Sequence, residues 1–382
     1  MFKRIYVHNF RCLENFELDV GGKPSVLLIG KNGSGKSTVS FALALLQSIA
    51  RGTNRVGQLV KPKDFFLGKT DKRAEDASTK PEEIPMRFEV DVELEGILYQ
   101  YRLALEFPEG FKELRVQSEH LVVNSQPIYS REHSKVSVAR KGRGVAAEFM
   151  IDWHMIALPI IQEQSSNDPV AIFKQWLARS VIIAPIPSLI SGESSGETLE
   201  PDRHVENLGA WFAGLISHAP AAYATIDTYL KTNVLRDFWD IKNPIIAAES
   251  RNLIVQFRKE RSNVSLPFAA LSDGEKSFFI CALVLAASKA YGPIFCFWDE
   301  PDSHLSIDEV GHFVMALRSS FESGGQILIT SHNAEAIRRF SDENTLVLYR
   351  RSHMEPTRVK LLEGMNLQGD LINSLLLGDL EP

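Results

Sequence analysis

The stretch "GKNGSGKST" at residues 30–38 decides the fold of this chain of 382 residues. It matches the pattern G-x-x-x-x-G-K-S, follows the apolar run "SVLLIG", and precedes a helical pattern through "TVSFALALLQSIA". A buried strand, a glycine-rich turn and a helix in this order surround a bound phosphate with backbone N–H groups and a helix N-terminus. The sequence therefore predicts a phosphate loop within an α/β fold.

The residue types of this loop suit a nucleoside triphosphate. Glycines allow the backbone to approach the β-phosphate closely, a lysine reaches the β- and γ-phosphates, and a serine hydroxyl ligates Mg²⁺. We expect ATP to contact Gly30, Asn32, Gly33, Ser34, Gly35, Lys36, Ser37 and Thr38, with Ser37 as a metal ligand. Guanine specificity is not supported, because "GKTD" at 68–71 lacks the leading Asn or Thr of a guanine reader and follows the loop too soon.

The stretch "IFCFWDEPDSHL" at 294–305 predicts a second part of the site. A buried strand that ends in two acids places one carboxylate for Mg²⁺ and the next beside the attacking water. We expect Asp299 to hold Mg²⁺ through its water shell and Glu300 to act as the general base. The next apolar run, "ILITSH", ends in His332, which we expect to contact the γ-phosphate.

Composition limits the class of protein. A hydrophobic content of 44% and a charged content of 24% are typical of a globular chain, and no apolar run reaches the length of a bilayer span. Its three cysteines are far apart, which favours reduced thiols in a cytoplasmic protein without a membrane partner. A net charge of −6 argues against a general polyanion binder, although basic clusters at 55–63 and 140–144 leave contact with DNA open.

The patterns along the chain predict an order of elements. Alternating segments at 86–96 and 97–107 favour an antiparallel hairpin, and "SGESSGETLEP" at 191–201 has the composition of a linker. A charged segment at 68–84 predicts an exposed loop. From about residue 207 the chain reads as helical with a break near Pro220, and the last third alternates helix and strand.

Four motifs in a fixed order carry a family resemblance. The phosphate loop, "LSDGEKS" at 271–277, "FWDEPDSHL" at 297–305 and "TSH" at 330–332 resemble an ABC-type ATPase head, and "VHNFRCLENFELDV" at 7–20 resembles the opening of its RecF/OLD/SMC-like branch. Members of that branch are often described as AAA-family ATPases. The resemblance covers roughly residues 1–50 and 265–350 well and the middle loosely.

The resemblance implies an α/β P-loop NTPase, an ABC-type ATPase head with an antiparallel β subdomain and an inserted helical lobe. More than two hundred residues separate the phosphate loop from "LSDGEKS", which favours a large insertion into the head. We expect residues 1–160 to form the first half of the head with the β-hairpin subdomain. Residues 161–264 form the helical lobe, including the linker at 191–201, and residues 265–382 form the second half.

The resemblance also implies that "LSDGEKS" acts across a dimer in which two subunits enclose two ATP molecules. The Ser272 hydroxyl and the amides from Gly274 onward would then cap the partner's γ-phosphate. The residues implied at this junction are Ser272, Gly274, Glu275, Lys276 and Asp302. Two positions depart from the common "LSGGQ", since Asp273 replaces its second glycine and Glu275 its glutamine, and we expect both acids to face away from the phosphate.

Three further residues are weaker candidates. Gln117 and Glu119 are candidates for the Q-loop of such heads, and Arg11 for a position near the nucleotide. None of the three lies in a motif that fixes its role.

The expected function follows from what accompanies the head. Only fifty residues follow His332, too few for the TOPRIM domain of OLD-type nucleases, and no long coiled coil is present, so we expect a stand-alone ATPase. The leading hypothesis is an ATP-driven switch that forms a homodimer or higher homo-oligomer and acts with a separately encoded effector in bacterial anti-phage defence or genome maintenance. The alternative is a RecF-like clamp on DNA. A transporter-associated ATPase fits the long insertion poorly.

Overall fold

The computed structural model describes residues 1–66, 84–140, 144–233, 235–247, 249–340 and 342–364. The "GKTD" segment and nearly all of the loop predicted at 68–84 lie outside these ranges. Contacts divide the chain into two compact units. The first unit comprises Met1–Lys23, Gly30–Ala178 and Leu346–Pro382, and the second comprises Pro24–Ile29 and Arg179–Thr345. The three-part division into 1–160, 161–264 and 265–382 stays a prediction.

The described α-helices are α1 (Lys36–Ala50), α2 (Val56–Leu59), α3 (Pro169–Arg179), α4 (Leu208–His218), α5 (Ala222–Asn233), α6 (Asp273–Tyr291), α7 (Ile307–Glu322) and α8 (Ala334–Arg338). The strands are β1 (Phe2–His8), β2 (Phe16–Asp19), β3 (Ser25–Ile29), β4 (Met86–Leu94), β5 (Ile97–Glu106), β6 (Arg115–Val123), β7 (Gln126–Glu132), β8 (Lys135–Arg140), β9 (Gly144–Met150), β10 (Val181–Ile183), β11 (Glu193–Ser194), β12 (Phe238–Lys242), β13 (Ile245–Ala247), β14 (Ser250–Asn252), β15 (Ile254–Lys259), β16 (Ser262–Pro267), β17 (Phe295–Trp298), β18 (Gln326–Thr330), β19 (Thr345–Tyr349) and β20 (Arg358–Leu361). Short 3-10 turns occupy Pro62–Asp64, Pro187–Leu189, Phe268–Ala270, Asp342–Asn344 and Leu362–Gly364.

An eight-stranded antiparallel sheet is the main feature of the first unit. Its strand order is β2-β1-β4-β5-β6-β7-β8-β9, and β4 pairs with β5 from Met86–Leu105 to Leu94–Ile97, which confirms the predicted hairpin. The strands form because apolar and polar residues alternate, so that one face is buried. Helix α3 packs on that face through Phe173, whose ring lies 5.6 Å from that of Tyr101.

A parallel sheet forms the centre of the second unit, with neighbouring strands in the order β10-β17-β18-β3. Every residue of β3, β17 and β18 is buried, as continuous apolar runs in a parallel sheet require. Because these strands are parallel, β17 and β18 end at the same edge of the sheet. The chain therefore leaves that edge at Asp299 and at Ser331.

Two capped helices accompany this sheet. A capping box between Ser306 and Glu309 starts α7, and an equivalent box between Ser272 and Glu275 starts α6. Helix α6 ends at Tyr291, and the next residue, Gly292, has a φ of 85° that glycine adopts readily. The rings of Phe278 on α6 and Phe313 on α7 lie 5.9 Å apart, so the two helices share one apolar contact.

The segment at 161–264 contains strands as well as helices. The residues with linker composition include β11, which pairs with β14 in the small sheet β11-β14-β13. Gly192 and Gly209 serve close packing there, because a Cβ at Gly209 would lie 2.5 Å from the Gly192 carbonyl oxygen. The sheet β12-β15-β16 follows α5, and the predicted break near Pro220 separates α4 from α5.

No helix within the described ranges is long and apolar enough to cross a membrane.

Candidate functional site

The phosphate loop begins one residue after β3 ends and leads into α1. Gly30, Gly33 and Gly35 have φ angles of 152°, 80° and 107°, which side chains rarely allow. A Cβ at Gly30 would lie 2.1 Å from the Leu348 carbonyl oxygen, so the loop has no room for a larger residue there. The sequence pattern therefore reflects both backbone conformation and close packing.

Lys36 lies folded back across the loop that precedes it. Its Nζ donates hydrogen bonds to the carbonyl oxygens of Gly30 at 2.7 Å and Lys31 at 3.3 Å, and its side chain is buried. Asn32, Gly33 and Ser37 are exposed, whereas Ser34 is buried and Thr38 is half-buried at the start of α1. The loop thus combines a buried ammonium group with an accessible helix N-terminus, an arrangement suited to a polyanion.

The buried Ser34 hydroxyl supports the same assignment. Within the described residues its Oγ has no hydrogen-bond partner, although a buried hydroxyl normally has one. An orphaned polar atom inside a cationic loop fits a site whose hydrogen bonding is completed by a phosphate ligand.

At the edge of the parallel sheet, Thr330 connects the two acids that follow β17. Its Oγ1 donates to Asp299 Oδ1 at 2.6 Å and accepts a hydrogen bond from the Glu300 backbone N–H at 2.8 Å. Thr330 is fully buried and Asp299 is only 9% exposed. A single side chain therefore orients the proposed metal ligand and the backbone of the proposed base.

Glu300 and His332 lie close together at this edge. The Glu300 carboxylate Oε1 is 3.3 Å from His332 Nε2, and both side chains are substantially exposed, at 44% and 40%. Glu300 has a left-handed backbone with φ of 51°, an unfavourable conformation for a non-glycine residue that the hydrogen bond to Thr330 helps to hold. The structure thus brings the predicted base and the predicted γ-phosphate contact into one cluster.

Asp302 lies deeper than the predicted position at a subunit junction requires. Its carboxylate is buried and accepts a hydrogen bond from Ser331 Oγ at 2.6 Å. Burial raises the pKa of Asp302 above its ordinary value. In this structure Asp302 orders the turn after β17 rather than presenting a charge to the surface.

The signature residues cap α6. Ser272 Oγ accepts the Glu275 N–H at 3.3 Å, and Glu275 Oε2 accepts hydrogen bonds from both the Ser272 N–H and its hydroxyl at 2.8 Å. Gly274 needs to be small, because a Cβ there would lie 3.0 Å from the His304 carbonyl oxygen. Ser272 remains exposed at the helix start.

Two signature side chains differ from the prediction. The Glu275 carboxylate does not face away, because it turns back to complete the capping box with Ser272. Lys276 is buried, and its Nζ donates to the Pro187 carbonyl oxygen at 3.0 Å, so it does not present its charge at the surface of α6. Asp273 is 44% exposed and lies 3.8 Å from His304, in line with an acid that points outward.

Two of the three weaker candidates, Glu119 and Arg11, make structural contacts. Glu119 on β6 is fully buried and accepts hydrogen bonds from Tyr101, Tyr129 and the backbone of residues 157 and 158. It is therefore closed to a ligand. Gln117 lies on the same strand, and its candidacy for the Q-loop stays a prediction. Arg11 pairs with Asp64 at 3.1 Å and stacks on Phe41 of α1, which makes it a support of that helix.

Two residues at the sheet edge, Thr330 and Arg203, are not predicted by any motif of the sequence. Thr330 lies at the end of the strand beside the acidic one, and this position brings its hydroxyl within reach of both acids. Arg203 lies 3.8 Å from Asp299 through its Nη2, yet ninety-six residues separate the two in the sequence. No local pattern predicts that ion pair, since it depends on how the segment before α4 folds.

Comparison with known proteins agrees with this geometry. The model of the RecF/RecN/SMC N-terminal domain matches residues 1–355. A segment of 46 residues is 46% identical to an OLD nuclease of Thermus scotoductus, although this match spans 12% of the chain and only 8% of the length of that curated relative.

Solved structures show the same fold. An SMC head bound to the C-terminal winged-helix domain of ScpA has a TM-score of 0.55 at 13% identity, covering 95% of this chain and 98% of the other. An SMC head with an extended coiled coil, bound to a ScpA domain from Pyrococcus furiosus, has a TM-score of 0.50 at 11% identity, covering 95% and 96%. The predicted P-loop NTPase fold of the ABC-head type is confirmed, and the chain belongs to the RecF/RecN/SMC N-terminal domain family.

Proposed function

We propose that this protein is a switch that binds ATP, assembles through it and is released by its hydrolysis. The observation that carries the proposal is the edge cluster, in which Thr330 holds Asp299 and the Glu300 backbone while Glu300 lies 3.3 Å from His332. Family membership supports ATP binding and hydrolysis in general.

The phosphate loop would bind the triphosphate through its backbone N–H groups. The nucleotide contacts proposed in this loop are Gly30, Asn32, Gly33, Ser34, Gly35, Lys36, Ser37 and Thr38. On binding, the Lys36 ammonium would exchange the carbonyl oxygens of Gly30 and Lys31 for phosphate oxygens, which carry more charge. Through this exchange, Lys36 would contribute to the affinity for the β- and γ-phosphates.

Glu300 would act as the general base and His332 would contact the γ-phosphate. The exposure of the Glu300 carboxylate lets a water molecule reach it, and its neighbour His332 can donate a hydrogen bond to an anion. The Ser37 hydroxyl and the Asp299 carboxylate are hard oxygen donors of the kind that Mg²⁺ prefers. When bound, Mg²⁺ supplies positive charge that stabilises the phosphate oxygens during transfer.

The exposed start of α6 would cap the nucleotide of a second subunit. Ser272, Gly274 and the first N–H groups of a helix of 19 residues offer hydrogen-bond donors and the positive end of the helix dipole. Glu275 would have to release the Ser272 hydroxyl for a phosphate, which makes the capping box part of the switch. The buried Lys276 and Asp302 would act from inside, by holding the signature helix and the turn after β17.

A separate effector protein is the partner that this switch would control. The solved neighbours are SMC heads bound to domains of another protein, ScpA, which supports an ATPase head that acts through a partner. The similarity to a segment of an OLD nuclease supports a role connected with nucleic acids, in anti-phage defence or genome maintenance.

Light scattering of the Glu300→Gln variant tests the assembly. With saturating Mg-ATP its mass should rise to at least twice the 42.8 kDa of one chain, because hydrolysis no longer releases the dimer. Lys36→Ala in the same background should bind no ATP and stay monomeric, and Ser272→Arg should bind ATP without assembling. A Glu300→Gln protein that binds ATP and remains monomeric would rule out a dimer in which two subunits enclose ATP.

A DNA clamp is the second candidate, and one exposed feature favours it. Trp239 on β12 is 49% exposed, with the Arg258 guanidinium 4.6 Å and the Lys231 ammonium 5.6 Å from its ring. An exposed aromatic ring close to two cations suits contact with nucleic acid. ATPase stimulation by double-stranded DNA that disappears at high salt would favour the clamp over the effector model.

A further inference from the structure

The segment between β19 and β20 lies against the phosphate loop within the first unit. Residues 30–34 of the loop line a cavity of about 140 Å³ together with residues 347–349 of β19 and 350–353 of this segment. The contact joins parts of the chain that are more than three hundred residues apart in sequence. No motif of the sequence assigns a role to it.

Thr357 makes the most direct of these contacts. Its side chain is 2% exposed, its Oγ1 donates to the Ser34 carbonyl oxygen at 2.9 Å, and its N–H donates to the Cys12 carbonyl oxygen at 2.9 Å. The second bond fixes the threonine backbone, so the hydroxyl has a defined position from which to hold Ser34.

The hydrogen bond to Ser34 fixes the direction of the next N–H group. A trans peptide is planar, and its C=O and N–H point in opposite directions. When Thr357 holds the Ser34 oxygen, the Gly35 N–H therefore points to the opposite side of the loop. That N–H is one of the donors by which a phosphate loop contacts a phosphate.

This peptide needs such a restraint because glycines flank it. Gly33 and Gly35 lie on either side of Ser34, both with positive φ, and glycine rotates more freely than any other residue. A Cβ at Gly35 would lie 2.6 Å from Thr357 Oγ1, so the close approach of the threonine requires the glycine that it restrains. The hydrogen bond from the Thr357 hydroxyl thus restrains a peptide that the flanking glycines leave free to rotate.

Arg350 braces the segment that carries Thr357. Its guanidinium donates to the carbonyl oxygens of Glu355 at 2.7 Å and His353 at 2.5 Å, and it reaches the Gly33 oxygen at 3.5 Å. These bonds hold the turn before β20 in a closed form, so the threonine is presented by a rigid support.

We propose that Thr357 is a positioning residue for phosphate binding, which orients the Ser34–Gly35 peptide so that the Gly35 N–H faces the nucleotide. The inference rests on the proposed function in that it takes residues 30–38 to bind a nucleotide. It assigns Thr357 no contact with the ligand itself.

Two substitutions separate the contribution of the hydroxyl from that of packing. Thr357→Val keeps the volume and loses the hydrogen bond, whereas Thr357→Ser keeps the hydrogen bond and loses a methyl group. By calorimetric titration, Thr357→Val should bind ADP and inorganic pyrophosphate about tenfold more weakly than wild type, because one fixed donor becomes free to rotate. Thr357→Ser should bind both within about twofold of wild type.

Steady-state kinetics give a second readout. The Thr357→Val variant should show a raised KM for ATP with nearly unchanged kcat, because the Gly35 N–H serves the bound substrate and the transition state alike. A merely structural role would impair Thr357→Ser as much as Thr357→Val. Wild-type affinity in Thr357→Val would overturn the inference and leave the ATPase proposal intact, whereas a wild-type protein that binds no nucleotide would overturn the proposed function itself.

Discussion

Two glutamates of this protein face a basic side chain at similar distances, yet their surroundings are opposite. In the first unit, Glu119 lies 3.7 Å from Arg131, and both side chains are fully buried. In the second unit, Glu300 lies 3.3 Å from His332, and both side chains are about two-fifths exposed. The pair with full burial stabilises a sheet, and the exposed pair is available for chemistry.

Saturation of hydrogen bonds explains the difference. Glu119 accepts from two tyrosine hydroxyls and two backbone N–H groups, while Arg131 donates to three backbone carbonyls. Burial, followed by the negative charge of Glu119, holds the pKa of Tyr101 and of Tyr129 well above the ordinary value. Such a carboxylate has no capacity left for a substrate, whereas Glu300 meets solvent and depends on Thr330 for its backbone position.

The largest expected effect is on the exposed glutamate. Glu300→Gln should slow phosphate release in single turnover by roughly 10²–10⁴-fold, because an amide cannot accept the proton of the attacking water. ATP affinity should stay close to that of wild type. Glu309→Gln, in the capping box of α7, is the matched control and should hydrolyse ATP normally. Hydrolysis at the wild-type rate by Glu300→Gln would show that Glu300 is not the general base.

The buried pair should respond in stability instead. Arg131→Met leaves the Glu119 carboxylate buried beside an apolar side chain, so we expect a loss of about 3–5 kcal/mol in the free energy of unfolding. Urea unfolding followed by tryptophan fluorescence measures it. Arg102→Met, at a half-exposed arginine on β5, should cost less than about 1 kcal/mol. An equal loss in the free energy of unfolding at the two positions would show that burial does not make the Glu119–Arg131 pair more important for stability.

The smallest effect is expected at the residue that supports the exposed pair. Thr330→Val should lower kcat about tenfold, because Asp299 loses a donor and the Glu300 N–H loses its acceptor. Thr330→Ser keeps both hydrogen bonds and should restore most of the rate in a coupled phosphate assay. If Thr330→Ser is as slow as Thr330→Val, the methyl group rather than the hydroxyl matters and Thr330 has only a packing role.

Local patterns were sufficient for much of the fold. The β4–β5 hairpin, the capping box of α7, the end of α6 at Gly292 and the buried strands before Asp299 and His332 all follow from residues close in sequence. Composition was less reliable at 191–201, because Gly192 serves a close backbone contact and not a flexible linker. Side-chain direction was the hardest to predict. Glu275 turns back to Ser272 in a capping box, and Lys276 turns inward because the Pro187 carbonyl oxygen accepts its hydrogen bond.

By itself, the sequence determined the phosphate loop, the acidic end of a buried strand and the helix that begins at "SDGEKS", because each depends on steric and hydrogen-bonding preferences within a few residues. Only the tertiary structure decided that Thr330 bridges to two acids, that Arg203 reaches Asp299 and that Thr357 holds Ser34. Those contacts join residues that are 30 to 323 positions apart, and they form only after the chain has folded. The motifs supply the reactive groups, and long-range hydrogen bonds orient them.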